Sequence, residues 1–100
     1  MSVLSEFTRQ LTGCIDFLDA SDAATAERWS DALRAARAIA SRDLPGAADR
    51  VLALADAAPS IEDIEFSAAS ERQEFLALCD HMLALVRVIA GRPPVEAGGG

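Results

Sequence analysis

The sequence predicts an all-α protein: a compact antiparallel four-helix bundle followed by a disordered C-terminal tail. Three observations carry that prediction. Apolar residues recur at three- and four-residue spacing over four separate stretches, as amphipathic helices require. The breaks between those stretches hold the Ser, Asp, Pro and Gly residues that start and stop helices. No stretch alternates apolar and polar residues in the manner of a half-buried strand. A chain of 100 residues is the size of one domain, and folding at that size buries roughly 65% of the surface the unfolded chain exposes. Residues 1–91 are read as that domain. Residues 92–100, RPPVEAGGG, are read as a flexible tail too rich in Pro and Gly to pack.

The first helix is predicted from about Ser2 to Asp19. Leu4, Phe7, Leu11, Cys14, Ile15 and Leu18 share one face, while Glu6, Arg9, Asp16 and Asp19 fall mostly on the other. Gly13 costs about 1 kcal/mol relative to alanine in a helix interior, and a close helix contact is its expected reason. Phe17 lies off the main stripe and predicts a wider contact face. A turn follows, with Ser21 or Asp22 as the expected N-cap of the second helix. That helix runs to about Ser41, with Trp29, Leu33, Ala36 and Ala40 as its seam and Ala26, Ala32 and Ile39 alongside. Small residues dominate this face, so a tight antiparallel hairpin with the first helix is expected.

Arg42-Asp43-Leu44-Pro45-Gly46 forms the next break, with proline tolerated in a first helical turn because its missing N–H was unpaired there anyway. The third helix covers about 45–57, uses Leu44, Ala48, Val51, Leu52 and Ala55, and stops at Pro59. Ala47 and Pro59 stand where the second helix of a tetratricopeptide-like repeat has its small residue and closing proline. The preceding helix is out of register and no second repeat follows, so the match is that of any helical hairpin. Residues 60–66 form either one short turn capped by Ser60 or Asp63, or an extended connection. Ile61, Ile64 and Phe66 would pin this segment across the end of the bundle. The fourth helix begins around 67–70, where Ser70 and Gln73 have capping-box spacing, and ends at Gly91, ahead of Pro93 and Pro94.

The fourth helix is the informative one. Phe75, Cys79, Met82, Val86 and Ile89 form a central stripe, flanked by Leu78 and Leu85 on one side and Leu76 and Leu83 on the other. Together they span roughly 180°, against somewhat over 100° for a helix that covers a core from one side. Either this helix is central and packs against the other three, or its Leu76/Leu83 edge buries against a second copy or a partner helix.

Composition and motifs exclude several kinds of chemistry. The net charge of −7 opposes nucleic acid and anionic membranes as partners, since affinity for both comes largely from neutralising negative charge. The arginines are interleaved with acids, as in a salt-bridged helix surface. The two cysteines, Cys14 and Cys79, sit in apolar helical patterns and are read as buried free thiols. MSVLSEFTRQL has no basic segment and no long apolar core, so no secretory signal is read, and residues 75–90 are too short to cross a bilayer. The expected location is the cytoplasm. No cofactor or metal is expected: two Cys and one His cannot supply a zinc site, and the Glu62, Asp63, Glu65 run lacks EF-hand spacing. His81 is read as a boundary residue. Its neighbours Cys79 and Asp80 point elsewhere on a helix and form no triad with it.

A catalytic role is therefore not expected. The functional expectation is a non-catalytic protein–protein interaction module, such as a small adaptor, accessory subunit, chaperone-like or regulatory protein, using the apolar surface of its C-terminal helix. Large apolar faces rimmed by charge mark such interfaces. The expected partner-binding residues are Leu76, Leu83 and Arg87, with Asp80 at the rim and Phe75 and Trp29 as core aromatics. The partner is another protein or a second copy in a homodimer. On that placement Leu83→Glu abolishes association and spares helicity. The alternatives are a small-molecule-binding bundle, with a pocket lined by Trp29, Cys14, Cys79 and Met82, and an accessory subunit of an enzyme complex.

Overall fold

The computed structural model describes residues 2–21, 25–56 and 61–91. Its helices are α1 (Val3–Asp19), α2 (Ala26–Ala40), α3 (Leu44–Asp56) and α4 (Ala69–Ile89), with a 3₁₀ turn at Ile61–Asp63 before α4. No strand occurs among the described residues. The expected flexible tail, the Asp22 cap and the Pro59 stop all lie outside those residues.

Each helix packs on its chain neighbours, and α4 returns to α1 to close the ring. Side-chain pairs give the direction of two of these seams. Asp19 accepts hydrogen bonds from Ser30 and Arg34, whereas Thr12, two turns back, accepts one from Arg37. Numbers rise on α2 as they fall on α1, so the two helices are antiparallel. Across the other seam Phe17 meets Phe75 and Cys14 meets Cys79, which makes α1 and α4 antiparallel as well.

Local chemistry explains the helix ends. Ser2 caps α1, its hydroxyl accepting from the Ser5 amide at 3.0 Å. Asp43 caps α3 by accepting from the Gly46 amide at 3.0 Å, and any Cβ at position 46 would strike that carboxylate. Glycine there leaves room for the cap. At the far end of α4, Gly91 takes φ +71°, the left-handed C-cap conformation that the sequence predicts for it. α2 begins at Ala26 after Thr25, which gives no side-chain cap hydrogen bond. One expected cap is not used: Ser70 lies inside α4, and Ala68 at its N-cap gives no side-chain hydrogen bond. A capping residue marks a permissive place, and packing decides which turn is the first.

The core follows the predicted stripes closely. Phe7, Leu11 and Leu18 from α1, Trp29 and Leu33 from α2, Val51 and Leu52 from α3, and Phe75, Met82 and Val86 from α4 are all buried. Ala36, Ala40, Ala47 and Ala48 are buried with them, which lets α2 and α3 approach closely. Ile61 and Ile64 are buried as well, so the short turn does pin the connection onto the bundle. Arg72 reinforces it by donating to the Ile64 carbonyl at 3.3 Å. Gly13 differs from its expected reason: a Cβ built there meets nothing within 4 Å, so no helix contact requires a glycine.

Candidate functional site

The α1/α4 seam carries the surface of interest. Its floor at one end is an aromatic cluster. Phe17 sits edge-on to Phe66 at 5.7 Å between ring centroids, and Phe75 lies 5.8 Å from Phe17 and 5.3 Å from Phe66. Phe75 is buried while Phe17 and Phe66 are half-buried, so the cluster shows one side to solvent. Beside it lies an open concavity of about 330 Å³, lined by Phe17, Glu74, Ala77, Leu78 and His81. Four of its five lining residues come from α4 and share one flank at helical spacing.

The same flank continues along α4. Positions 78, 81, 85 and 88 follow one another at three- and four-residue intervals, which keeps them in line. Leu78 and Leu85 are half-buried, His81 is exposed, and Val88 is 71% exposed. On α1 the flank facing α4 runs through Phe17, Gly13, Gln10, Glu6 and Val3, and Val3 is 51% exposed. The antiparallel register puts Val3 at the level of Val88. The two exposed large hydrophobic residues among those described thus belong to one end of one seam, with the concavity at the other end. Fourteen helical residues separate those levels, roughly 21 Å at 1.5 Å per residue.

Polar groups rim this strip. Glu6 is held by Arg9 at 2.6 Å and by Gln10 at 2.9 Å, and the Arg9 guanidinium lowers its carboxyl below the ordinary range. Asp16 and Glu74 are exposed. On the remote side of the molecule, Arg28 stacks over the Trp29 ring at 5.1 Å, which covers that indole rather than opening a pocket.

The residues expected to bind a partner are not brought together as one surface. Leu83 is 2% exposed, and the chain's own core covers it. The reason lies in the ring order. The Leu78 side of α4 is the side shared with α1, so the Leu76/Leu83 side is turned toward α3; Leu83 on it is buried, while Leu76 stays half-buried. The main contacts of α4 are with α1 and α3, so it is not the hub of the other three helices, and Leu83 belongs to the core. Leu76 and Arg87 are half-buried; Asp80 is exposed at the rim. Phe75 and Trp29 are core aromatics, as expected. The four residues expected to line a pocket, Trp29, Cys14, Cys79 and Met82, are core residues at most 4% exposed. Phe17, an aromatic off the α1 stripe, is the sequence signal for the concavity, because it lies on the side of α1 that meets α4.

His81 and Cys79 lie on opposite faces, one in solvent and one in the core, so the Cys-Asp-His string builds no catalytic group. Among the described residues no cluster of three or more His, Cys, Asp or Glu could hold a metal ion. No described helix is long and apolar enough to cross a membrane. The chain matches no protein-family model, and no curated protein or solved structure is significantly similar to it.

Proposed function

We propose that the protein is a non-catalytic interaction module that binds an amphipathic helix of another protein along the α1/α4 seam. The observation that carries this reading is the α1/α4 flank on which Phe17 and its concavity, Leu78, Leu85 and Val88 follow one another at helical spacing, interrupted by the exposed His81. Its length suits a helix of about four turns. Charge complementarity selects the partner's chemistry. The rim acids and the net charge of −7 favour a helix with basic flanks and disfavour a second copy of this acidic chain. The placement differs from the Leu76/Leu83 edge because Leu83 is buried in the chain's own core.

The test is a titration of the ¹⁵N-labelled protein with a synthetic 15-residue Leu/Lys amphipathic helix, with a Leu/Glu helix as control. Amide shifts confined to the neighbourhoods of Phe17, Leu78, His81, Leu85 and Val88, at least tenfold weaker binding for Val88→Arg, and no effect of the acidic control are expected. Shifts spread over all faces, or none at all, overturn the placement. Light scattering in solution then separates the other occupant, since a stable dimer of the free chain would assign the strip to self-association.

A second reading rests on the concavity itself. Its volume is at the lower end of sites that enclose small molecules, roughly 300–1,000 Å³. An apolar amine seated on Phe17 and Leu78 with its charge on Glu74 is the ligand it would take, and thermal stabilisation by such amines tests it.

A further inference from the structure

Cys14 and Cys79 contribute to neither reading above, and their placement is unusual. Both are thiols outside any disulfide, and both are fully buried. They come from the two helices of the α1/α4 seam, far apart in sequence, and the thiols meet in a hydrogen bond. One turn away along the same antiparallel register, Phe17 faces Phe75, so the cysteines occupy directly opposed positions. Packed helix axes lie about 8–10 Å apart, and each Cα sits about 2.3 Å from its axis. Directly opposed Cα atoms therefore come within roughly 3.4–5.4 Å, which overlaps the lower part of the 4.4–6.8 Å window of disulfides.

We infer that Cys14 and Cys79 are a redox-closable pair, which a peroxide converts to an intramolecular disulfide that staples α1 to α4. The chemistry balances without a further reactant. The Cys14 sulfur attacks one peroxide oxygen, the O–O bond breaks, and Cys14 becomes a sulfenic acid as the first water leaves. The Cys79 sulfur then attacks the Cys14 sulfur, the S–O bond breaks, and the hydroxide departs with the Cys79 proton as the second water. Two thiols lose two electrons in all, and one peroxide becomes two waters. Cys79 donates to Cys14 and holds its thiol below the ordinary range, against the burial that pushes it up. The two thiols are equally buried, and the same balance holds with Cys79 attacking first and Cys14 resolving. Burial selects the oxidant. Hydrogen peroxide is small and neutral and can enter through a brief opening of the seam, whereas glutathione disulfide is large and charged.

Closing the bridge ties a loop of most of the chain, which is where a cross-link restricts the unfolded state most. The oxidised form is accordingly the more stable one.

The experiment uses the full chain at neutral pH with hydrogen peroxide, followed by alkylation in denaturant and mass spectrometry. The expected result is joint loss of both thiols, a monomer lighter by two hydrogens, and a linked peptide pair containing Cys14 and Cys79. Dithiothreitol should restore the thiols, and the melting temperature of the oxidised form should rise by roughly 10 °C or more. Cys79→Ala removes the second sulfur, so Cys14 should then proceed to sulfinic acid. Four outcomes overturn the inference: sulfinic acid in the unsubstituted protein, a disulfide-linked dimer, thiols that react only when the whole chain unfolds, or a cross-linked form that melts lower. None of these readouts depends on a binding partner.

Discussion

Gly13 sits in the interior of α1 with open space where a Cβ would be. Glycine there costs the helix about 1 kcal/mol relative to alanine, and nothing in the fold offsets it. Gly13→Ala should therefore raise stability by about 1 kcal/mol, or roughly 4–8 °C in melting temperature for a domain of this size. A melt of the purified variant checks this, and a lower melting temperature would mean that the added methyl meets something. Because the glycine lies on the flank of α1 that faces the seam, the same variant should bind the basic helix less well. Glu6 makes a second residue-scale prediction. Its native carboxyl titrates below the ordinary glutamate range because of Arg9 and Gln10, so the unfolded state binds the proton more tightly. The stability it contributes is present above the ordinary glutamate range and is lost as pH falls through the lowered native value. Wild type should melt above Glu6→Gln at pH 7, with the gap closing in acid. A gap that widens on acidification would contradict that sign.

At the scale of elements, the two sides of α4 should respond oppositely to charge. Leu83→Glu places an unpaired carboxylate in a closed core and removes a packed leucine. Each effect costs several kcal/mol, enough to unfold a domain of marginal stability. Val88→Arg alters a side chain that is 71% exposed and should stay within about 0.5 kcal/mol of wild type. Circular dichroism of the two variants decides it: a helical Leu83→Glu protein would reopen that edge as a surface. The helices themselves were largely legible in the sequence, since Phe7, Leu11, Leu33, Val51 and Phe75 occupy the predicted stripes and are buried. The arrangement of the faces was not. Periodicity fixes which side chains share a face of one helix but carries nothing about which neighbour lies beside it. The same limit hid the meeting of Cys14 with Cys79, each of which reads alone as an ordinary small apolar residue. Ser70 misled as a cap for a related reason, for a Ser can end several neighbouring turns equally well.

For the molecule as a whole, three of the four helix seams join consecutive helices, and only α1/α4 joins elements distant in sequence. Local contacts form early and at small entropic cost, while the distant seam must close a long loop. In native-state hydrogen exchange, amides of α2 and α3 that face each other should be the most protected. Those of α1 and α4 along their shared seam should exchange through a lower-energy opening. Uniform protection of all four helices would show that the ring opens only as one unit. The candidate surface was legible to this extent: the sequence pointed to α4 and to an apolar face broader than one core requires. It did not show that the chain's own core takes Leu83 on one edge of that face.

The level at which Val3 stands beside Val88 has another consequence. The first residues of α1 and the last of α4 are spatial neighbours, although they are almost the whole chain apart. A short Gly-Ser link joining those two points, with new ends cut into the exposed Ser41-Arg42-Asp43 turn between α2 and α3, would reorder the polypeptide without moving any helix. Such a circular permutant should fold to the same bundle and make α1/α4 the sequence-local hairpin and α2/α3 the distant pair. Its exchange pattern should invert accordingly, with the slowest amides moving to the seam that opens first in the natural chain order.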